Sequence, residues 1–497
     1  MEDTVIFGST NQQVGETTPP QPSQTPQVPP SPPPPSAPPP PPSPALEQPE
    51  EPPDYPPPQQ SILRRLLKIV IPIVVVILLI FLAITFVLPL LRNSGVGGGG
   101  VVAITYWGLW EPKEVMQPII DEFQKENPNI KVTYEMRDIK KYKETLLTRI
   151  NSGSGPDVFR FHNSWTQTMK EALSPLPEAV ISADEFKKQY YPVVQSDMTI
   201  NGGVYGIPLH MDTLALFVND GILEDYGISV PQTWEEFTKV SSAVTVRDES
   251  GQMHTYGAAI GSWDNIVRAP DLVSVLFAQN RVNLKKPQDS AVQNYAEALR
   301  FYTDFATGRD SIAKVWDADA LPALEAFAGG NVALYFGYSW DIFQIKQISP
   351  DFVFSVHPVP YLVNPTTVAS YWASGVSSKS KHQKEAMSFM QFLAKKETQQ
   401  KLYTLEAKSR LFGELPARRD LAETLKDNEL VYPFLVQAET AVSSYFVSDT
   451  HDASINEELN GYLANTVRSI LGNTSAESAA QTLLNGIKQV IEKYGLN

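Results

Sequence analysis

Hydrophobic and polar positions divide this chain sharply near its N-terminus. Between Lys68 and Arg92, twenty-three consecutive positions carry no charge, with Arg64, Arg65 and Lys68 crowded before them. As a helix, at about 1.5 Å per residue, that run spans roughly 35 Å, enough to cross a hydrocarbon core of about 30 Å. Three basic residues before the span and one after it orient it with residues 1–63 in the cytoplasm and everything beyond Arg92 outside. Pro72 and Pro89 fall in its end turns, where a missing N–H costs little. A cleaved secretory signal would be shorter, closer to the N-terminus and followed by a small-x-small site. Here sixty residues precede the run, which leaves through Phe86-Val87-Leu88-Pro89-Leu90-Leu91. The expectation is an uncleaved single-pass anchor over 64–92 in the cell membrane.

Beyond it, strand and helix periods alternate. Val101 to Trp107 is an apolar β-rich run, and Pro112 to Asn127 has helical spacing, with Val115, Ile119, Ile120 and Phe123 on one face. Ile130 to Met136 alternates as a strand, Tyr142 to Ile150 reads as a helix, and Asp157 to Phe161 is a third strand. Strand–helix–strand–helix–strand predicts a parallel sheet, whose ligands sit at the carboxyl ends of its strands. A second block opens with the strand Leu214 to Val218. A helix from Thr233 follows, with Glu236 completing a capping box. Ala291 to Ala306 is a long amphipathic helix, and Leu321 to Ala328 leads through Gly329-Gly330 into the strand Val332 to Phe336. From Gln383 to Leu405, and from Leu421 onward, the spacing is largely helical.

Composition sharpens the division. Residues 1–60 hold 22 of the 42 prolines and seven acidic residues, with no Lys or Arg. Such a stretch cannot offset chain entropy by burying apolar surface, so residues 1–63 are expected to be disordered with polyproline II bias. The runs Pro32–Pro35 and Pro38–Pro42 are either ligands for a cytoplasmic proline-binding partner or a solvated tail. Of the net charge of −15, the tail carries −7 and residues 61–100 carry +4, so residues 101–497 carry −12. An acidic domain argues against a nucleic-acid partner. The absence of cysteine removes disulfides, thiolate metal sites, Cys nucleophiles and a lipid-modified cysteine together, leaving the helix as the anchor. Residues 93–100 contain five glycines in eight positions, a flexible linker. Its reach is on the order of 16 Å, which confines the outer part near its membrane.

Four passages of that outer part carry a resemblance. They are Ile104-Thr105-Tyr106-Trp107-Gly108-Leu109-Trp110-Glu111-Pro112; Gly155-Pro156-Asp157-Val158-Phe159; Tyr205-Gly206-Ile207-Pro208-Leu209-His210-Met211-Asp212 running into Leu214 to Asn219; and Phe327 to Leu334 ending in Gly337-Tyr338-Ser339-Trp340. In this order and spacing the chain resembles the extracellular solute-binding proteins of ABC importers, the family that contains maltose-binding protein. The resemblance implies an α/β, two-lobed periplasmic-binding-protein-like fold of type II with discontinuous lobes. One lobe is expected over 101–212 plus 352–408 and the other over 213–351 plus 409–497. The crossings would then fall near Asp212, Phe352 and Arg410. A carbohydrate ligand, capture by hinge closure and permease subunits in the same membrane are implied with it.

A sugar needs flat aromatics for its C–H faces and carboxylates, amides or guanidinium groups for its hydroxyls. Trp107, Trp110 and Glu111 follow the first strand. Phe161, His162, Asn163 and Trp165 follow the third, where the resemblance places sugar contacts, although Ser164 and Trp165 replace an acidic and basic pair there. His210 and Asp212 fall at the first crossing, and Trp263 and Asp264 in a second-lobe loop. Tyr338 and Trp340 match the family's stacking position, Trp372 (beside Tyr371) follows the second crossing, and Arg418 and Tyr445 lie later. Asp449, His451 and Asp452 lack the spacing of a calcium loop or a zinc helix, so no metal site is expected. No phosphate loop or nucleophile elbow is present, so neither a cofactor nor enzymatic chemistry is expected. Two alternatives remain open at this point: a clamshell that reports occupancy to the proline-rich tail as a sensor or adhesin, and a membrane-bound glycosidase.

Overall fold

The computed structural model describes residues 100–309 and 312–496. The expected tail over 1–63, the anchor over 64–92 and all but the last residue of the 93–100 linker lie outside the described residues. Among the described residues no helix is long and apolar enough to cross a membrane.

Two sheets, each with its own core, form two lobes. In the first, Val102–Gly108 lies between Ile130–Met136 and Val158–His162, all parallel. The connections are the helices Lys113–Glu126 and Tyr142–Asn151. The first of these buries Val115, Met116, Ile119, Ile120 and Phe123 and ends where Asn127 folds back onto the Phe123 carbonyl ahead of Pro128. Trp372–Ser377 then adds antiparallel to Val158–His162 and carries the short strands Leu173–Ser174 and Ile207–Pro208.

The second sheet runs in the order Val246–Arg247, Met253–Ala258, Val332–Gly337, Ala215–Val218, Ser355–His357. Helix Trp234–Ala243 starts at the Thr233/Glu236 capping box. The C-terminal helices Ile455–Leu471 and Ala476–Lys493 pack on Val292–Thr307.

The lobes are joined by a small hinge. Asp212–Thr213 pairs antiparallel with Ala369–Ser370, and Val442 bonds in register beside them, its N–H donating to Thr367 and its carbonyl accepting from Ala369. One expected crossing therefore moves, and another is repeated. Ser355–His357 pairs with Ala215–Val218, and Phe354, Val356 and Val359 are buried in the second core, so the chain passes between lobes at Ala369–Ser370 instead of near Phe352. Near Arg410 the chain does reach the second core, through Phe412 and Leu415, but Ala417 and Arg418 return to the first lobe, Val431, Phe434 and Leu435 pack in the second again, and the last pass falls at Val442. The helical stretch 383–405 is two helices, Gln383–Ala394 and Lys396–Glu406. The carbonyls freed at the break are taken up by Gln399, which donates to Leu393, and by Arg418, which donates to Ala394.

A candidate ligand-binding cleft between the lobes

At the hinge, between the lobes, lies a cavity of about 550 Å³. The first lobe contributes Trp110, Ile139, Arg160, His162, His210 and Met211, and the hinge contributes Asp212, Ser370, Tyr371 and Trp372. The second lobe contributes Trp340, Phe343, Gln344, Ser448, Asp449 and His451, and the connecting segment contributes Arg410, Glu414 and Leu415.

Three indoles give the cleft its apolar surface. Trp372, first residue of its strand and paired with His162, has its ring 6.0 Å from Trp110, 5.1 Å from His162 and 4.9 Å from Trp165, each edge to face. Trp110 is 46% exposed, unusual for an indole unless a partner covers it. Opposite, Trp340 opens the helix Ser339–Ile348 and stacks on Tyr338 at 4.4 Å and 16°.

Below the indoles is a buried ionic floor. Arg160, an arginine inside an otherwise apolar strand, reaches Glu111 Oε1 at 2.9 Å. His210 lies between two carboxylates, 3.4 Å from Glu111 and 3.3 Å from Glu406. Arg410 bridges Glu406 and Glu414. Burial alone would raise the Glu111 carboxyl, but the Arg160 and His210 charges outweigh it and hold it below the ordinary range. Ligand atoms of Glu111, His210 and Glu406 lie within 4.8 Å of one another, a spacing a metal ion could gather. Arg160 and Arg410 pair with those carboxylates, which gives the cluster the chemistry of an ion-pair network.

Burial pushes Asp212 up to about 7 against the N–H groups of Ser339 and Thr213, which donate to it. Burial also pulls His162 down to about 3, leaving a neutral ring between Ser164 and Ser370. On the other wall, Asp449 pairs with Arg268, which also forks onto Asp341. Asp449 and His451 have φ of 59° and 48°, a left-handed conformation that persists only when neighbours over-determine it.

Of the residues singled out from sequence, Trp110, His162, His210, Asp212, Trp340, Tyr371 and Trp372 line the cavity. Glu111 lies in its floor. The others are elsewhere, each for a visible reason. Trp107 is core, under the Arg137 guanidinium. Phe161 points to the opposite side of its strand from Arg160 and His162, into space left by Gly206 and Gly375, where a Cβ would meet its ring at 2.7 and 2.8 Å. Asn163 donates to buried Asp197. Trp165 is buried behind Trp372 and donates its indole N–H to Asn456. Tyr338 is 1% exposed, stacked behind Trp340 with its hydroxyl on Asp271. Trp263 and Asp264 line a separate pocket of about 500 Å³ in the second lobe, which shares Gln344 and Asp449 with the cleft. Arg418 ties Gln189, Ala394 and Asp420 together in the first lobe. Tyr445 is buried in the second core. Arg160 was missed, although a lone charge in an apolar strand announces a buried partner. Arg410, Ser448 and His451 had no comparable signal.

Comparison with known proteins decides the family. The model of bacterial extracellular solute-binding proteins matches residues 109–400. The chain belongs to that family. Among relatives of this solute-binding protein is the multiple sugar-binding protein of Streptococcus mutans, 26% identical over 320 residues that cover 60% of this chain and 71% of that one. The maltotriose-binding protein of Pyrococcus abyssi is 26% identical over 147 residues, 29% of this chain and 30% of its own. The sugar-binding protein MalE of Xanthomonas citri superposes with a TM-score of 0.64 at 19% identity, over 79% of this chain and 98% of that one. A cyclo/maltodextrin-binding protein complexed with maltotetraose gives 0.61 at 20% identity, over 78% and 97%. These structures share the fold, two mixed α/β domains.

Proposed function

We propose that this solute-binding protein captures a carbohydrate in the interlobe cleft and delivers it to the permease of an ABC importer in the same membrane. The observation that carries the reading is the pairing of Trp110 and Trp372 on one side with Trp340 on the other, above a neutralised floor of Glu111, Arg160, His210 and Arg410. Indoles suit the C–H faces of a pyranose, while His210, Asp212, Arg410 and Glu414 offer donors and acceptors to its hydroxyls. Relatives named as sugar-binding support the same class. Contacts from both lobes give the ligand a greater affinity for the closed form, the condition for hinge closure.

The placement follows from the sequence. The uncharged run before Arg92 acts as an uncleaved anchor, the proline-rich tail stays in the cytoplasm, and the solute-binding lobes stand outside. One relative, from Streptomyces antibioticus, is named a lipoprotein; this chain has no cysteine to carry a lipid. A thermal-shift screen against mono- and oligosaccharides, polyols, polyamines and peptides tests the ligand class, because a ligand bound only by the folded form raises its melting point. A carbohydrate should give the largest shift. A shift from peptides or polyamines alone would refute the reading.

A further inference from the structure

Beside the cavity the lobes also touch each other directly. Lys143, on helix Tyr142–Asn151 of the first lobe, donates to Asp452 Oδ2 at 2.7 Å and to Ser454 Oγ at 2.7 Å, both at the start of the second-lobe helix Ile455–Leu471. The ion pair is buried: the Lys143 side chain is 9% exposed and that of Asp452 is 0%. One residue into that helix, Asn456 Oδ1 accepts from Ser164 Oγ and from Trp165 Nε1, both at 3.0 Å, while its Nδ2 holds the Tyr445 carbonyl. None of these side chains lines the cleft.

We infer that Lys143 and Asn456 form a latch that holds the two lobes together and sets affinity without touching the ligand. Separating the lobes breaks all four of these hydrogen bonds, together with the ion pair between Lys285 of the second lobe and Asp197 of the first, whereas the hinge bonds at Asp212, Ala369 and Val442 lie on the pivot. Truncating one partner acts asymmetrically. Without the Lys143 ammonium, Asp452 is an uncompensated buried charge when the lobes are closed and a hydrated one when they are open. Apparent affinity scales with the fraction of molecules already competent to grip, so a tenfold fall in the closed fraction weakens binding tenfold. Trp165 joins the latch to the site: its indole N–H is committed to Asn456 and its ring braces Trp372, which does line the cavity.

The affinity part of this inference rests on the proposed function; the closure part does not, and it can be measured without ligand. The full-length chain has no cysteine, so Thr148→Cys on the first lobe and Ser478→Cys on the second allow two spin labels and no others. Pulsed dipolar distances on the ligand-free protein should show a short-distance population in the labelled parent. Lys143→Met and Asn456→Ala should each transfer most of it to longer distances, and Lys143→Arg, which keeps the charge, should retain it. Melting temperatures identify any variant that is merely unfolded, and two chemically different truncations guard against losing one. Unchanged distance distributions in both truncations, or a parent with only the long distance, would overturn the latch. If the distances respond as expected and no carbohydrate binds, the ligand class falls and the latch stands.

Discussion

Trp110 and Trp372 do different work at one rim. Trp372 is braced by His162 and Trp165, so its loss would disturb the wall as well as the ligand. Trp110 is nearly half exposed and, among the described aromatic rings, touches Trp372 alone. Trp110→Ala should therefore weaken carbohydrate binding tenfold or more, about 1.4 kcal/mol, and leave the melting point nearly unchanged. Titration calorimetry with the sugar that gives the largest thermal shift checks both halves.

Asp212 makes a second prediction at this scale. Its folded value of about 7 stands above the ordinary 3.8, so the folded state holds the proton more tightly than the unfolded one. Stability is complete below the unfolded value and is lost as pH climbs through the folded one. Asp212→Asn removes the titration and adds a constant cost from the altered hinge contacts. Between pH 5 and pH 8 the stability difference should move in favour of the variant by about 2–3 kcal/mol, read by denaturant unfolding at each pH. A difference that stays flat with pH would show that Asp212 is ionised throughout.

Legibility also differs residue by residue. Trp110 and Glu111 were readable because they crowd the end of a strand, where a cleft belongs, whereas Trp107, still within the strand, packs into the core. Tyr338 and Trp340 were harder. Only the phase of the helix that begins at Ser339 decides which ring faces the cavity, and a short helix after a strand does not state its phase in sequence. Phe161 failed for a related reason: strand alternation turns it away from its neighbours Arg160 and His162.

At the scale of elements, the first five outer elements were legible to within about one residue because their apolar periods are clean and each is bounded by Pro, Gly or Asn. The segment after Leu421 was not. Its helical spacing hides the irregular stretch between Thr440 and Ile455, which supplies the third hinge contact at Val442 and the cavity residues Ser448, Asp449 and His451. Nothing local fixes that path; it is set by the pairing of Val442 with Val368 and of Asp449 with Arg268. The strand Trp372–Ser377 depends on glycine in a more readable way. A Cβ at Gly375 would lie 2.5 Å from Leu173 and 2.8 Å from Phe161. Gly375→Ala should cost about 1–3 kcal/mol through overpacking and should leave the affinity of the surviving folded protein within about threefold. Chemical denaturation beside a binding isotherm separates the two effects.

Across the described residues, two lobes with separate cores meet at a three-segment hinge, and the family model, over residues 109–400, takes in part of each lobe. Under the proposed anchor, the glycine-rich residues 93–100 would keep these lobes close to the membrane and so raise the effective concentration of receptor at its permease. Doubling residues 93–100 should leave solution affinity unchanged and lower uptake of the bound solute less than about threefold, measured as transport in cells. A loss of affinity on lengthening would mean that the linker contributes to the cleft.

One feature of the first sheet reaches beyond the finished fold. Val158–His162 completes its pairing only with Trp372–Ser377, and the Tyr106 hydroxyl meets Ser374 across 268 residues of sequence. While the polypeptide is being made, that edge has no neighbour until most of the intervening chain has emerged. Non-local pairing of this kind slows folding and leaves a strand edge prone to wrong partners in the meantime.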